Sequence, residues 1–282
     1  MRIIALTAVA MLAFAANSVL ARLAFATGDA EAMSYTGIRL AAGALTLFAL
    51  LAARGRSSAR LGGSWAGAAA LFGYALLFSI AYILLGAGTG ALILFASVQI
   101  GILGWAVLKG DRPGALEWLG IAVAFAALVY LVSPGLVAPH PLGTAMMVVS
   151  GLCWAVYTLI GRGSKSPLVD TAGNFVRCLP LAAVLIVAGA ATHGVTPLAA
   201  AYAVASGAVA SGIGYAIWYA VLPSHSRSRA AIVQLTVPAI AATGGVLLIG
   251  ETLSPRLVIA SLGIIGGVAL ALVAADRRRT PG

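Results

Sequence analysis

The chain has 282 residues, of which 62% are hydrophobic and only 9% charged, against about 25% charged in an average soluble domain. Nowhere does it hold a hydrophilic stretch large enough for a soluble domain, which excludes a soluble enzyme or binding module. The net charge of +10 does not point to nucleic acid, because the basic residues fall in short segments between apolar runs. There they serve as orientation signals and as anchors for anionic lipid headgroups.

About 20 apolar residues cross the ~30 Å hydrocarbon core of a bilayer as a helix. The N-terminus, MRIIALTAVAMLAFAANS, has the shape of a secretory signal. Its apolar run continues to Ala26, however, and has a counterpart later in the chain, so it is expected to be retained as the first of ten helices. The next four are expected at about 32–53, 65–85, 89–108 and 115–132. After the break SPGLVAPHP come spans at about 143–160, 168–191, 197–222, 231–251 and 256–274.

The ninth span, AIVQLTVPAIAATGGVLLIGE, has a second copy 140 residues earlier, ALILFASVQIGILGWAVLKGD. The same offset lays Asn17, Ser18 and Arg22 over Tyr157, Thr158 and Arg162. One offset that fits two distant segments indicates a duplication, with units 1–136 and 137–282. With the N-terminus in the cytoplasm, thirteen of the seventeen Lys and Arg residues fall on the inner side, including Arg54, Arg56, Arg60, Lys109, Arg112, Arg162, Lys165, Arg227 and Arg229. This is a positive-inside pattern with both termini cytoplasmic. Five helices per unit is an odd number, so the second copy is inverted relative to the first. The expected fold is therefore an all-α integral membrane protein of ten transmembrane helices in two inverted five-helix repeats. Many secondary transporters alternate access with such repeats, around a site near the midplane between the halves.

Pro238, at the centre of the ninth span, cannot donate to the carbonyl of Gln234 and is expected to kink the helix there. Such a carbonyl should face protein, water or substrate. The corresponding part of the fourth span has no proline but carries Ser97, Gln99, Gly101 and Gly104, where small residues would have to supply any bend. An amide in lipid is costly, so Gln99 and Gln234 should face inward. Aromatic faces recur nearby: Tyr74, Phe78 and Tyr82; Ser150, Trp154 and Tyr157; Tyr215, Trp218 and Tyr219. Trp65, Trp105 and Trp118 lie near span ends and suit the interfacial belt. The expected substrate-binding set is Asn17, Tyr74, Tyr82, Ser97, Gln99, Trp154, Tyr157, Tyr215, Trp218 and Gln234, and Pro238, Gly101 and Gly104 are the kink positions. Arg39 and Arg177 lie at comparable depths in the second helix of each unit, as gate or packing groups or as snorkelling cations.

All seven acidic residues and all three histidines lie in loops or at helix ends. No carboxylate relay crosses the midplane, and the expectation is a facilitator without metal or cofactor. Cys153 and Cys178 are small apolar residues within spans. No catalytic motif survives: Gly62-Gly63-Ser64-Trp65-Ala66 misses the nucleophile turn, and Gly86-Ala87-Gly88-Thr89-Gly90 lacks the dinucleotide spacing. Gly86/Gly90 and Gly263/Gly267 read as close helix packing.

Trp154, Arg39, Arg177 and the runs LKGDRPGALEWLGIAVAF and VPAIAATGGVLLIGETLSPRLVIASLGIIGGVAL resemble the drug/metabolite transporter superfamily, in its EamA-type ten-helix branch. The second run is the more typical copy, and GTGALILFASVQ with QLTVP is similar to YddG-like amino acid exporters. Val98 stands where the first copy usually has proline, and Ala260 replaces a customary glycine. The resemblance implies export of amino acids or related metabolites across the bacterial inner membrane by alternating access. Amides and aromatic faces suit a neutral or aromatic amino acid, or alternatively a flat cationic drug held by cation–π contact. The expected partners are the small substrate and the bilayer, with the protein a monomer; an intramembrane enzyme is a distant alternative.

Overall fold

A computed structural model describes residues 1–26, 28, 30–55, 62–110, 113–132, 138–161, 164–192, 194–225, 233–234 and 236–279. Their helices are α1 (Arg2–Ala26), α2 (Ala32–Ala53), α3 (Trp65–Leu84), α4 (Ala87–Leu108), α5 (Ala115–Val132), α6 (Pro141–Gly161), α7 (Pro167–Ala190), α8 (Pro197–Val221), α9 (Val237–Ile249) and α10 (Pro255–Arg279). Eight are long and apolar enough to cross a membrane; α5 and α9 are shorter apolar helices. The chain is an all-α membrane protein.

The helix starts follow local chemistry. Four helices open on proline, whose missing N–H falls among the donors that lack an intrahelical partner anyway. Glu31, Ser64 and Thr196 cap α2, α3 and α8 by accepting from the backbone N–H groups of Ser34, Gly67 and Ala199. The same rule corrects the expected ninth span. Pro238 lies in the first turn of a 13-residue helix rather than at the centre of a long one, so it starts α9 instead of kinking it. Residues 226–232 and 235, within or next to the expected span, lie outside the described residues. The fourth helix, by contrast, runs unbroken through Gly101 and Gly104.

Helix α8 is not regular. Ser206–Ile213 is π-helical and lies between two α-helical segments. The sequence there, SGAVASGI, consists mostly of small residues, which tolerate the wider turn and let a neighbour come close. A Cβ on Gly207 would sit 2.1 Å from the Arg39 carbonyl oxygen, so α2 and the π segment touch backbone to backbone.

Helices α2 and α7 run antiparallel in tight contact. Gly37 lies against Ala182 and Ile186, Gly43 against Phe175, and Gly189 against Ser34. The other glycine-lined couple is α5 with α10, where Gly120 meets Gly267 and Gly263 meets Ala127. The expected packing role of Gly263 and Gly267 is therefore seen directly. Helix α3 packs on α6 and α1 on α8, α4 lies on α6 and α1 on α9, and α4 meets α9.

Contacts at the helix ends fall into two groups. At one end Ala30 bridges to Val195, and Arg22, Ala87 and Glu251 converge. At the other, the Thr7 hydroxyl is 2.9 Å from His225 Nε2, while Asp170 and Asn174 accept from the backbone N–H groups of Gly63 and Ser64. Helices that alternate in direction place each of these groups on one face.

Candidate functional site

Six elements converge on a small cavity. Its wall is Phe14, Asn17 and Ser18 from α1, Tyr74 and Phe78 from α3, Leu94 and Phe95 from α4, Trp154 from α6, Tyr215 from α8, and Gln234 just before α9. The Trp154 indole is the hub. Its ring lies 4.7 Å from Tyr74, 5.3 Å from Tyr157 and 5.3 Å from Tyr215, centroid to centroid. Phe14 meets Tyr215 edge-on at 5.7 Å and Trp218 at 5.9 Å. Offset and edge contacts of this kind are favourable beyond their buried area. The Ser150 hydroxyl donates to the Tyr74 carbonyl at 2.9 Å and ties α6 to α3 behind the stack.

The cavity volume is only ≈ 20 Å³, about enough for one water. The rings fill with one another the space a solute would need. This conformation is closed around its centre.

Five of the expected residues, Asn17, Tyr74, Trp154, Tyr215 and Gln234, line the cavity. Asn17 is held from across the bundle: its Oδ1 accepts from the hydroxyls of Ser206 (2.7 Å) and Ser211 (3.3 Å), both in the π segment. The other five stand back. Tyr157 and Trp218 support lining rings. Buried Tyr82 meets Phe78 edge-on at 4.6 Å. The Ser97 hydroxyl donates within its own helix, to the Ile93 carbonyl, and Gln99 is buried on α4 away from the lining.

Phe14, Ser18, Phe78, Leu94 and Phe95 complete the wall. Phe14 could have been found, since it precedes Asn17 and Ser18 by three and four residues on one helical face. For Leu94 and Phe95 no signal existed. Residues 91–98 of α4 are all buried, so periodicity does not single out one face.

The two intramembrane arginines differ in setting. Arg177 is half-buried and donates to the Gly62 carbonyl beside Trp65, at the end of the bundle that holds Asp170. Arg39 is only 2% exposed. Its guanidinium lies 4.7 Å from the Phe78 ring centroid and 5.4 Å from that of Tyr74, and Nη2 donates to the Tyr74 hydroxyl at 3.1 Å. It does not snorkel out of the bundle.

A second, more open hollow of ≈ 400 Å³ lies beside the Arg22–Glu251 pair and is lined in part by Gly86, Thr89, Ala242, Thr252 and Leu257. Asp111 and Arg162, which the 140-residue offset aligns with Glu251 and Arg22, lie outside the described residues.

The family model for the EamA-like transporter family matches residues 141–273. An uncharacterized protein of Pseudomonas aeruginosa is 48% identical over 271 residues, 96% of this chain and 94% of that protein. The chain belongs to the EamA-like transporter family. With it the protein joins the drug/metabolite transporter superfamily and is a membrane transporter. The uncharacterized inner membrane transporter YedA of Escherichia coli K12 is 29% identical over 98 residues, 35% of this chain and 32% of YedA. A crystal structure of a protein 22% identical superposes with a TM-score of 0.64, over 94% of this chain and 98% of the other; it shares the fold. The EamA match covers α6 to α9 and most of α10, the half that reads as the more typical copy.

Proposed function

We propose that this EamA-like transporter exports neutral and aromatic amino acids across the bacterial inner membrane, moving them down their gradient. The observation that carries the reading is the composition of the cavity wall: aromatic faces with the amides of Asn17 and Gln234 and the hydroxyl of Ser18. Such a lining offers apolar area to a side chain and neutral hydrogen-bonding groups to a zwitterion. The wall draws on both proposed repeats, 1–136 and 137–282, as a site at their seam requires. The helix pairs support the repeat. Exchanging α1 with α6, α2 with α7, and so on to α5 with α10 turns the α3–α6 pair into α8–α1 and α4–α6 into α9–α1, and returns α2–α7, α4–α9 and α5–α10 to themselves.

In this reading Tyr74, Trp154 and Tyr215 separate to admit the solute, and the two ends of the bundle open in turn. Gln99, Tyr82, Tyr157, Trp218 and Ser97 set the positions of the lining groups, Gly101 and Gly104 give α4 a hinge during movement, Pro238 acts at the start of α9, and Arg177 acts at the bundle end that holds Asp170. The chain works as a monomer with both termini in the cytoplasm, which puts Glu31 and Glu251 on the outer side. The excess of Lys and Arg supports this orientation, although Arg56, Arg60, Arg112, Arg162, Arg227 and Arg229 lie outside the described residues. The inner-membrane description of YedA supports the location.

Efflux of flat cations is the rival reading, since aromatic faces also bind those. The buried guanidinium of Arg39 against the cavity wall disfavours it. Counterflow in proteoliposomes with labelled phenylalanine, methionine and tetraphenylphosphonium tests the choice. Exchange of the amino acids is expected; exchange of the cation alone would replace the proposal.

A further inference from the structure

Of three buried side-chain polar groups left unfinished among the described residues, at Tyr35, Arg39 and Thr144, the first two lie together. Arg39 Nη1 and the Tyr35 hydroxyl are both buried, and among the described residues neither has a hydrogen-bond partner. They lie one turn apart on the same face of α2. Tyr35 is 0% exposed and lies close to Ser206 but outside hydrogen-bond geometry. Among the described residues no carboxylate is within 4 Å of the guanidinium. Arg39 is the eighth residue of α2, which places it about 12 Å in from the helix end. A charge at that depth is costly without a partner. The faces of Phe78 and Tyr74 recover part of the cost, yet they leave Nη1 unsatisfied. Both rings also line the central cavity, so a single layer of aromatic side chain separates the cation from the space a solute would occupy.

We propose that Arg39 and Tyr35 form an anion subsite behind the Tyr74–Phe78 wall, filled by a compact anion when those rings swing aside. The anion is either the carboxylate of the transported solute or a free halide. Two donors one turn apart match the two oxygens of a carboxylate, and a charge-assisted hydrogen bond is among the stronger ones in a protein. The inference rests on the reading of the chain as a solute transporter and adds that what it carries, or carries along, is negatively charged at one end.

The test compares phenylalanine with phenylalaninamide, each in chloride and in sulfate medium. Binding is measured on the purified full chain in detergent, and counterflow in proteoliposomes. With a solute carboxylate in the subsite, wild type binds the acid about tenfold or more tighter than the amide, and R39Q brings the ratio close to one. With a halide there, acid and amide bind alike, binding falls in sulfate, and R39Q abolishes that fall. Y35F keeps the cation, so it decides the matter if R39Q does not fold: a loss of about threefold or more in the acid–amide ratio or the chloride effect supports the subsite, and no change overturns it. Wild-type protein indifferent to both carboxylate and chloride would also overturn it. Counterflow of acid and amide at one rate that is also the same in chloride and in sulfate removes the subsite and leaves the transport reading standing. Discriminating binding without counterflow does the reverse.

Discussion

Arg22 and Glu251, 229 residues apart in the chain, meet as an ion pair with Nε 3.0 Å from Oε1. Each does more than pair. Arg22 also donates to the Tyr82 carbonyl, and both oxygens of Glu251 accept from the Ala87 N–H at the start of α4. A carboxylate at a helix N-terminus also meets the favourable end of its dipole. The left-handed turn at Gly250 (φ 73°) ends α9 and leads the chain to this contact. One junction thus fastens α1, α3, α4 and α9 at a single end of the bundle.

Loosening that junction should open the end that holds it. We expect Glu251→Gln to weaken it by about 1–3 kcal/mol. A cysteine at Ser18, in the cavity wall, should then react several-fold faster with a charged thiol reagent added from the Glu251 side. An unchanged labelling rate would show that the pair does not restrain access.

Two glycines should respond in opposite ways to alanine. Gly207→Ala puts a methyl group into the Arg39 carbonyl, and a destabilisation of about 1–3 kcal/mol is expected. Gly104 has no described residue within 4 Å of its would-be Cβ, so alanine there should be neutral or stabilise by up to about 1 kcal/mol. Thermal unfolding in detergent reads both. Transport by the Gly104 variant tests the proposed hinge separately: a loss of flux without loss of stability marks one, and unaltered flux rules it out.

Replacing Asn17 with leucine leaves the hydroxyls of Ser206 and Ser211 without their shared acceptor. Hydrogen bonds between membrane helices are worth about 0.6 to 1.7 kcal/mol each, and the variant should lose stability in that range or slightly above it. A double-mutant cycle with Ser206→Ala gives the coupling. Additive effects would mean that the contact does not hold the π segment in place.

Trp154 is the ring with most to lose. Trp154→Ala should destabilise by about 3–5 kcal/mol as the stack loses its hub, while Trp154→Phe keeps part of the contact with Tyr74 and Tyr215. Among variants that still fold, the enlarged cavity should shift counterflow toward bulkier side chains, read as the ratio of tryptophan to methionine exchange. An unchanged ratio would place selectivity elsewhere.

Much of this architecture is legible in the chain itself, because a membrane leaves few solutions for a long apolar run. Expected and observed starts and ends of the first seven helices differ by only a residue or two. The aromatic faces of α3, α6 and α8 do meet, since the i, i+4 spacing of Tyr74, Phe78 and Tyr82 and its counterparts determines which rings share a side. What hydropathy could not reveal depends on partners. Pro238 looks alike as a kink in a long span or as the opening of a short helix. The π turn at 206–213 leaves no periodic trace in a run of small residues. Arg39 and Arg177 occupy similar places in the sequence, yet they meet α3 at different heights, Arg39 beside Tyr74 and Phe78 in its middle and Arg177 beside Trp65 and the Gly62 carbonyl at its start. The Arg22–Glu251 junction stayed hidden because offset matching pairs each residue with its copy, not with its neighbour.

The glycine-lined seam between α2 and α7 bears on motion. Gly37, Gly43 and Gly189 bring the two helices close together, with Ile186, Phe175 and Ser34 seated in the notches they leave. In the proposed transport cycle this seam would serve as a close-fitting bearing, with the ring-filled centre coming apart and closing again on either side of it.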